Sequence, residues 1–203
     1  MASSDRLWHL ICRLGDAYHR CKSVFWYRFF FGALPTTSVI RKPLFIAHPE
    51  RIFVGDHVTI REGARLEVVL SSNKRNPKIT IGSNTNIEQN VHIVCHGNIR
   101  IGNRVSITPN CSIVDVTHPY DDVSDPIKVG SRILDEDSFV EIGDGTMLGI
   151  GVIVLPNVRI GKNCVIGTSS VVTQDIPDFS VAAGSPARVV RKYDEAQEEW
   201  VRA

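Results

Sequence analysis

Residues 142–172 read IGDGTM LGIGVI VLPNVR IGKNCV IGTSSV V when they are written in groups of six. Each group begins with Ile, Leu or Val, and the same spacing recurs in three shorter blocks upstream. This aliphatic column consists of Val54, Ile60, Leu66, Ile81, Ile87, Ile93, Ile101, Ile107, Ile113, Ile142, Leu148, Val154, Ile160, Ile166 and Val172. An α-helix, with about 3.6 residues per turn, would not keep a strict spacing of six over successive repeats.

A small or β-branched residue lies two positions before most members of the aliphatic column, and these residues form a second column. Its members are Val58, Ala64, Thr85, Val91, Val105, Cys111, Thr146, Val152, Val158, Cys164 and Ser170. Residues two apart on a strand face the same side, so each group of six predicts one short strand with two inward side chains. Three such strands per coil describe a triangular prism with parallel sheets as its faces, an all-β parallel β-helix. Cys111 and Cys164 are predicted to pack there as small apolar side chains.

Breaks in the period divide the chain into three parts. We predict an N-terminal helical and aromatic segment over 1–50, the β-helix over 51–192 and a C-terminal tail over 193–203. A polar stretch, SSNKRNPK, interrupts the period between Leu66 and Ile81, and a longer insertion occupies about 115–139. A long loop that leaves a compact solenoid typically covers a site or contacts a neighbour.

The N-terminal segment has apolar residues at spacings of three and four over 4–31, which indicates one or two amphipathic helices. Aromatic residues interleaved with Arg28 follow at 26–31. They either cap the open end of the β-helix, or pack on a partner subunit, or lie on a membrane surface. Residues 1–35 are therefore candidates for peripheral contact with a membrane.

Composition excludes several classes of protein. The 203 residues contain 23 Lys or Arg against 22 Asp or Glu, which argues against a nucleic-acid partner, although residues 1–50 carry seven basic residues against three acidic ones. The five cysteines form no CxxC pair, which argues against a disulfide framework or a zinc ribbon and favours a cytoplasmic setting. No apolar run reaches the roughly 18 residues that span a bilayer, and the charged start is not typical of a signal peptide.

His118 lies in the long insertion and is the candidate catalytic residue. Transfer of an acyl group to a hydroxyl needs a base that works near neutral pH, and an imidazole is suited to that role. Asp115, Asp121 and Asp122 are close in sequence, and any of them could orient the ring. The sequence does not choose among these three carboxylates.

The stretches IGNRVSITPNCSIVDVTHPYDD (101–122) and 142–193 resemble the hexapeptide-repeat acetyltransferases. The resemblance covers about 52–192, and its most specific part is VVTQDIPDFSVAAGSPARVV (171–190). It is strongest to the branch that holds galactoside and maltose O-acetyltransferases and the O-acetyltransferases of surface polysaccharide assembly. It implies a left-handed winding, a homotrimer, and acetyl-CoA bound in the groove between adjacent subunits.

The resemblance also implies site residues. It places His118 at the family's catalytic base and, across a two-residue gap in the alignment, Asn90 near a position that contacts the acceptor. Backbone at Thr108, Ile150 and Thr168 would line the pantetheine and thioester, and Thr173, Arg188 and Arg191 would lie near the nucleotide end of the coenzyme. The chain departs from the family at Met147, where Trp is common, at Ile150, where a small residue is common, and at Gln174, where Lys is common.

The sequence-based hypothesis is thus an O-acetyltransferase that acts on a sugar hydroxyl in surface polysaccharide biosynthesis, by direct transfer in a ternary complex and with no metal. One alternative is N-acetylation of a nucleotide-linked amino sugar, although 1–50 contains no Gly-rich βαβ unit. A second is a metalloenzyme like the γ-class carbonic anhydrases, with His92, His96 and His118 as candidate ligands. A third is a non-catalytic scaffold.

Overall fold

The computed structural model describes residues 2–70, 76–134 and 136–203. It has one α-helix, α1 (Ala2–Phe25), and three short 3₁₀ helices at Tyr27–Phe29, Pro49–Arg51 and Val129–Ser131. Sheet I contains β3 (Ile52–Val54), β6 (Lys78–Ile81), β9 (Asn98–Ile101), β12 (Phe139–Ile142) and β15 (Val158–Ile160). Sheet II contains β1 (Val39–Ile40), β4 (Thr59–Ile60), β7 (Asn86–Ile87), β10 (Ser106–Ile107), β13 (Met147–Leu148), β16 (Val165–Ile166), β18 (Ser180–Gly184), β19 (Ala187–Asp194) and β20 (Glu199–Arg202). Sheet III contains β2 (Phe45–Ala47), β5 (Arg65–Val68), β8 (His92–Cys95), β11 (Ser112–Val114), β14 (Ile153–Val154) and β17 (Val171–Val172).

The chain visits sheets I, II and III in turn, and each strand pairs in parallel with the equivalent strand of the next coil. In sheet II, for example, Ile107 is level with Leu148, and Leu148 with Ile166. The fold is the parallel β-helix that the repeat predicted, with the left-handed winding that the family resemblance implied. Beyond the last coil, β19 and β20 fold back antiparallel on β18.

The interior of the prism is formed by the two columns seen in the sequence. Every member of the aliphatic column and every member of the small column is buried. Cys111 and Cys164 lie in this core, and burial raises the pKa of both thiols. These two cysteines therefore pack as small apolar side chains, as predicted.

The β-helix begins upstream of the predicted boundary at residue 51. Strands β1 and β2 pair with β4 and β5, so they form part of an additional coil. Phe31 and Leu34 are buried against the first coil and close its open end. The predicted tail is also ordered, because β20 pairs with β19 and the rings of Tyr193 and Trp200 meet edge to face at 5.5 Å.

Helix α1 is attached to the β-helix by its last turn. The Ser23 hydroxyl is buried, accepts a hydrogen bond from the Ile40 amide at 2.9 Å and donates one to the His19 carbonyl at 2.9 Å. Residues 7–18 of the helix are exposed on every side. No helix within the described ranges has the length and apolar character needed to cross a membrane.

Departures from the six-residue period all occur at one corner of the prism, between sheets III and I. Residues 69–77 leave this corner after β5, residues 96–97 after β8, and residues 115–138 after β11. Most of the polar stretch seen in the sequence, residues 71–75, lies outside the described residues. The two longer insertions therefore begin and end at the same edge, two coils apart.

Candidate active site

His118 lies near the start of the insertion that follows β11, and its side chain is exposed. Its Nδ1 atom is 2.7 Å from the backbone carbonyl oxygen of Arg132. A carbonyl oxygen can only accept, so Nδ1 must carry the proton and donate it. In the neutral form of the ring, Nε2 is then the unprotonated nitrogen, which is the form that general-base catalysis requires.

Two of the three carboxylates that were candidates for orienting His118, Asp115 and Asp122, have other partners. Asp115 is buried at the III–I corner and accepts hydrogen bonds from the amides of His96 and Gly97, the latter at 3.0 Å. Burial raises the pKa of Asp115, and these two bonds partly offset that rise. Asp122 accepts the Ser124 hydroxyl at 2.6 Å, which lowers the pKa of Asp122. The group that holds the His118 ring is a backbone carbonyl.

Four predicted ligand-binding residues share the corner between sheets II and III. Asn90, Thr108, Ile150 and Thr168 occupy this corner in four successive coils. Backbone hydrogen bonds between the corners of adjacent coils hold the stack, such as Ser169 N to the Ile150 carbonyl at 2.8 Å. The corner thus forms a straight edge that runs parallel to the axis of the β-helix.

The backbone at this edge has unused donors. Within the described residues, the N–H groups of Ile150 and Thr168 have no hydrogen-bond acceptor. They lie in adjacent coils, which places them about 4.8 Å apart, the spacing of neighbouring strands. Two such N–H groups could bind the amide and thioester carbonyl oxygens of an extended ligand.

Asn90 has a structural task as well as a candidate functional one. Its backbone adopts a positive φ of 57°, a conformation that Asn accepts more readily than most residues. Its Nδ2 donates to Oδ1 of Asn110, one coil further along, at 3.3 Å. The side chain is nevertheless exposed and remains accessible to a ligand.

Arg188 and Arg191 project from the same face of β19, although their odd spacing would normally point them to opposite faces. A bulge in the pairing with β18 explains this, because Arg188 is opposite Ala183 and Arg191 is opposite Val181. Both side chains are exposed on the outer surface of sheet II. Their positive charges therefore lie together near the C-terminal end of the prism, where an anionic group could bind.

The structure does not bring all predicted site residues together within one chain. Thr173 follows β17 and lies at the III–I corner, the corner from which the His118 insertion leaves. The stacked edge with Ile150 and Thr168 is at the II–III corner. The whole width of sheet III separates the two corners.

The three histidines of the metalloenzyme alternative occupy different environments. His92 faces outward on β8, His96 is buried at the III–I corner, and His118 is exposed in the insertion. In the ranges 2–70, 76–134 and 136–203, no group of three or more His, Cys, Asp or Glu side chains could hold a metal ion.

Arg132 is a residue that sequence reasoning missed. It lies 14 positions after His118 in irregular chain, and no periodicity marks it. The sequence feature that could have pointed to Arg132 is that the insertion contains one Arg, with Lys128 as its other basic residue.

Comparison with known proteins gives a consistent set of relatives. The family model of the bacterial transferase hexapeptide (six repeats) matches residues 139–174. WbbJ of Escherichia coli, assigned to lipopolysaccharide-biosynthesis O-acetyl transfer, is 33% identical over 170 residues, which cover 81% of this chain and 84% of that protein. A galactoside O-acetyltransferase of Lactococcus lactis is 43% identical over 107 residues, which are 53% of this chain and 49% of the relative. The chain thus spans about half the length of this galactoside O-acetyltransferase.

Two solved structures are similar in fold. A maltose O-acetyltransferase from Clostridium difficile superposes with a TM-score of 0.52 and 28% identity, over 83% of this chain and 73% of that one. AntD, an N-acyltransferase from Bacillus cereus, superposes with a TM-score of 0.68 over 84% of this chain and 87% of that one. Its identity is 19%, so it supports the fold alone.

Proposed function

Because this chain belongs to the hexapeptide-repeat acetyltransferase family, we propose that it transfers an acetyl group from acetyl-CoA to a hydroxyl of a sugar. By analogy with the lipopolysaccharide-related WbbJ, the acceptor belongs to surface polysaccharide biosynthesis in the cytoplasm. One observation carries the proposal. The exposed His118 ring donates through Nδ1 to a backbone carbonyl, which leaves Nε2 available as a base.

The reaction follows from this geometry. Nε2 of His118 removes the proton from the acceptor hydroxyl as its oxygen attacks the thioester carbonyl. The negative charge that develops on the thioester carbonyl oxygen is stabilised by a free corner N–H, for which Ile150 and Thr168 are the candidates. The C–S bond then breaks, and the imidazolium returns its proton to the departing thiolate of coenzyme A. No protein side chain is acylated.

We assign the active enzyme as a homotrimer in which two subunits build each site. The outward residues of sheet II in the prism are uncharged: Val39, Thr59, Asn86, Ser106, Met147, Val165 and Val181. Such a face is suited to contact with a neighbouring subunit. In a closed ring, each subunit uses two different faces. If these are sheets I and II, the groove between neighbours is lined by the III–I corner of one and the II–III corner of the next.

That arrangement would unite the two halves of the candidate site. His118 and Thr173 would come from one subunit, and the edge with Ile150 and Thr168 from its neighbour. Acetyl-CoA would lie along the groove, with its phosphates near Arg188 and Arg191 and its thioester near His118. Asn90 would contact the acceptor.

Acetyl transfer from labelled acetyl-CoA to sugars, nucleotide sugars and surface-glycan fragments tests the function. We expect label in at least one sugar acceptor, and we expect mild alkali to remove it, because esters are cleaved under conditions that leave amides intact. Alkali-stable label would contradict the O-acetyltransferase and support the amino-sugar alternative. Absence of transfer to every acceptor would contradict the proposal as a whole.

We further propose that the N-terminal segment contacts an anionic membrane surface. Most of the large exposed apolar residues of α1 fall on one side of the helix, namely Leu7, Leu10, Ile11, Leu14, Tyr18 and Phe25, whereas exposed Trp8 lies outside this stripe. Ser23, which attaches the helix, is on the opposite side, so the apolar stripe faces away from the β-helix. Exposed Trp26, Phe29 and Phe30 extend the apolar surface beyond the helix end. The net charge of +4 over 1–50 favours anionic lipid headgroups.

Sedimentation with phosphatidylglycerol vesicles tests this contact. We expect wild type to sediment with them, and Ile11→Glu to bind at least about tenfold more weakly because it places a charge in the apolar stripe. His9→Glu adds the same charge on the other side of the helix and should bind like wild type. Equal binding by Ile11→Glu, or a change in its oligomeric state in place of lost binding, would contradict membrane contact.

A further inference from the structure

Arg132 makes an unusually complete set of hydrogen bonds within the insertion. Its Nε donates to the carbonyl of Ile127 at 2.6 Å, and its two Nη atoms donate to the carbonyls of Asp122 and Asp125 at 2.8 and 2.7 Å. The carboxylate of Asp125 lies 3.2 Å from Nε and pairs with the charge. The Arg132 side chain is only 11% exposed, although most of the surrounding loop faces solvent.

These bonds connect Arg132 to three other points of the loop, at Asp122, Asp125 and Ile127. The apolar side chains of Tyr120, Val123, Ile127 and Val129 in this part of the insertion are all exposed, so they bury little surface that could hold it in shape. A guanidinium that binds three carbonyl groups therefore supplies much of the loop's shape. Hydrogen bonds to a charged group are stronger than those between neutral groups.

The backbone of Arg132 is hydrogen-bonded to the ring of His118. Arg132 N donates to the Val129 carbonyl at 3.0 Å, which places Arg132 at the end of a 3₁₀ turn. Leu134 N donates to the Thr117 carbonyl at 2.9 Å and brings this strand of the loop beside His118. The Arg132 carbonyl then accepts the hydrogen bond from His118 Nδ1.

We propose that Arg132 is the positioning residue of the candidate active site: its guanidinium fixes the loop, and its own carbonyl fixes the tautomer and orientation of His118. The side chain acts through the backbone and does not touch the reacting atoms. The proposal rests on the proposed function insofar as His118 is the base. The structural part, that Arg132 sets the ring tautomer, is independent of any acceptor.

The variants Arg132→Met and Arg132→Lys test this role. Met keeps most of the side-chain stem and removes all three donors, whereas Lys keeps the charge but cannot span three carbonyl groups. We expect Arg132→Met to lower kcat about 10- to 100-fold, with the KM for acetyl-CoA within about twofold, because a base that is misplaced by about 1 Å loses that much rate. The kcat of Arg132→Lys should lie between those of wild type and Arg132→Met.

Two measurements separate positioning from general damage. Lys128→Gln removes a positive charge from the same loop, and the Lys128 side chain makes no hydrogen bond or ion pair within the described residues, so the kcat of this variant should equal that of wild type. Correlation spectra of ¹⁵N-histidine-labelled protein, assigned with His118→Ala, should show the proton of His118 on Nδ1 in wild type and a shift toward the Nε2–H tautomer in Arg132→Met.

The outcomes are distinct. An unchanged His118 tautomer in Arg132→Met, or a kcat within twofold of wild type, would overturn the role of Arg132. If wild type transfers no acetyl group, the proposed function fails, and the tautomer measurement alone still decides whether Arg132 positions the ring.

Discussion

Replacement of His118 by alanine is expected to lower kcat for acetyl transfer by about 10²–10⁴-fold, the usual contribution of a positioned general base. The ring is exposed and outside the core, so its loss leaves the β-helix intact. Binding of coenzyme A, measured by calorimetry, should be unchanged within about threefold, because the free N–H groups and arginines that we assign to the coenzyme remain.

His9→Ala provides the matched control, since His9 is an exposed histidine on α1, far along the chain from the insertion. It should retain wild-type kcat. A His118→Ala enzyme within threefold of wild type would remove His118 from the chemistry while leaving the acetyltransferase assignment in place. A loss of coenzyme binding equal to the loss of kcat would show that His118 acts in binding and not as a base.

Replacement of Gly143 by alanine is expected to cost about 3 kcal/mol or more of the free energy of unfolding. Gly143 lies at the corner between sheets I and II, directly after β12. A Cβ there would come within 2.5 Å of the Gly161 carbonyl carbon and of the Lys162 nitrogen. Both are backbone atoms of the next coil, and that coil is fixed by the pairing of β15 with β12, so neither can move aside cheaply.

Urea unfolding at equal protein concentration measures this cost, because an oligomer's stability depends on concentration. Gly130→Ala is the control: a Cβ at Gly130 meets nothing within 4 Å, so this variant should unfold like wild type. Equal midpoints for Gly143→Ala and Gly130→Ala would mean that the coils are less tightly stacked than the structure has them.

Much of the fold follows from the sequence because the repeat is local. Each strand and corner is specified within six residues, so the inward columns, including Cys111 and Cys164, were predicted position by position. The start of the β-helix was placed too late for a simple reason. Leu34, Ile40 and Ile46 keep the same spacing of six, but the next member of the column is Val54, so two extra residues put this block out of phase with the repeats that follow.

The candidate site was less predictable, because its geometry depends on irregular chain. The sequence motif singled out His118 as the candidate base, but it did not indicate the hydrogen-bond partner of the His118 ring. The nearby carboxylates were reasonable candidates for that partner, yet Asp115 accepts hydrogen bonds from the amides of His96 and Gly97. The carbonyl of Arg132 approaches from 14 residues away by a path that only the folded insertion reveals. The bulge in β19 that aligns Arg188 with Arg191 likewise has no signal in the sequence pattern.

We propose that His118 of one subunit acts on acetyl-CoA bound at the edge with Ile150 and Thr168 of the next subunit. Mixed trimers test this shared site. His118→Ala lacks the base, and Thr168→Trp would block the edge, so each variant alone should be nearly inactive. Co-expression draws subunits at random, and about a quarter of the interfaces then pair an intact His118 with an intact edge. The account predicts recovery of about a quarter of wild-type activity in the mixture. Activity no greater than that of the separate variants would place the whole site within one chain and contradict the shared active site.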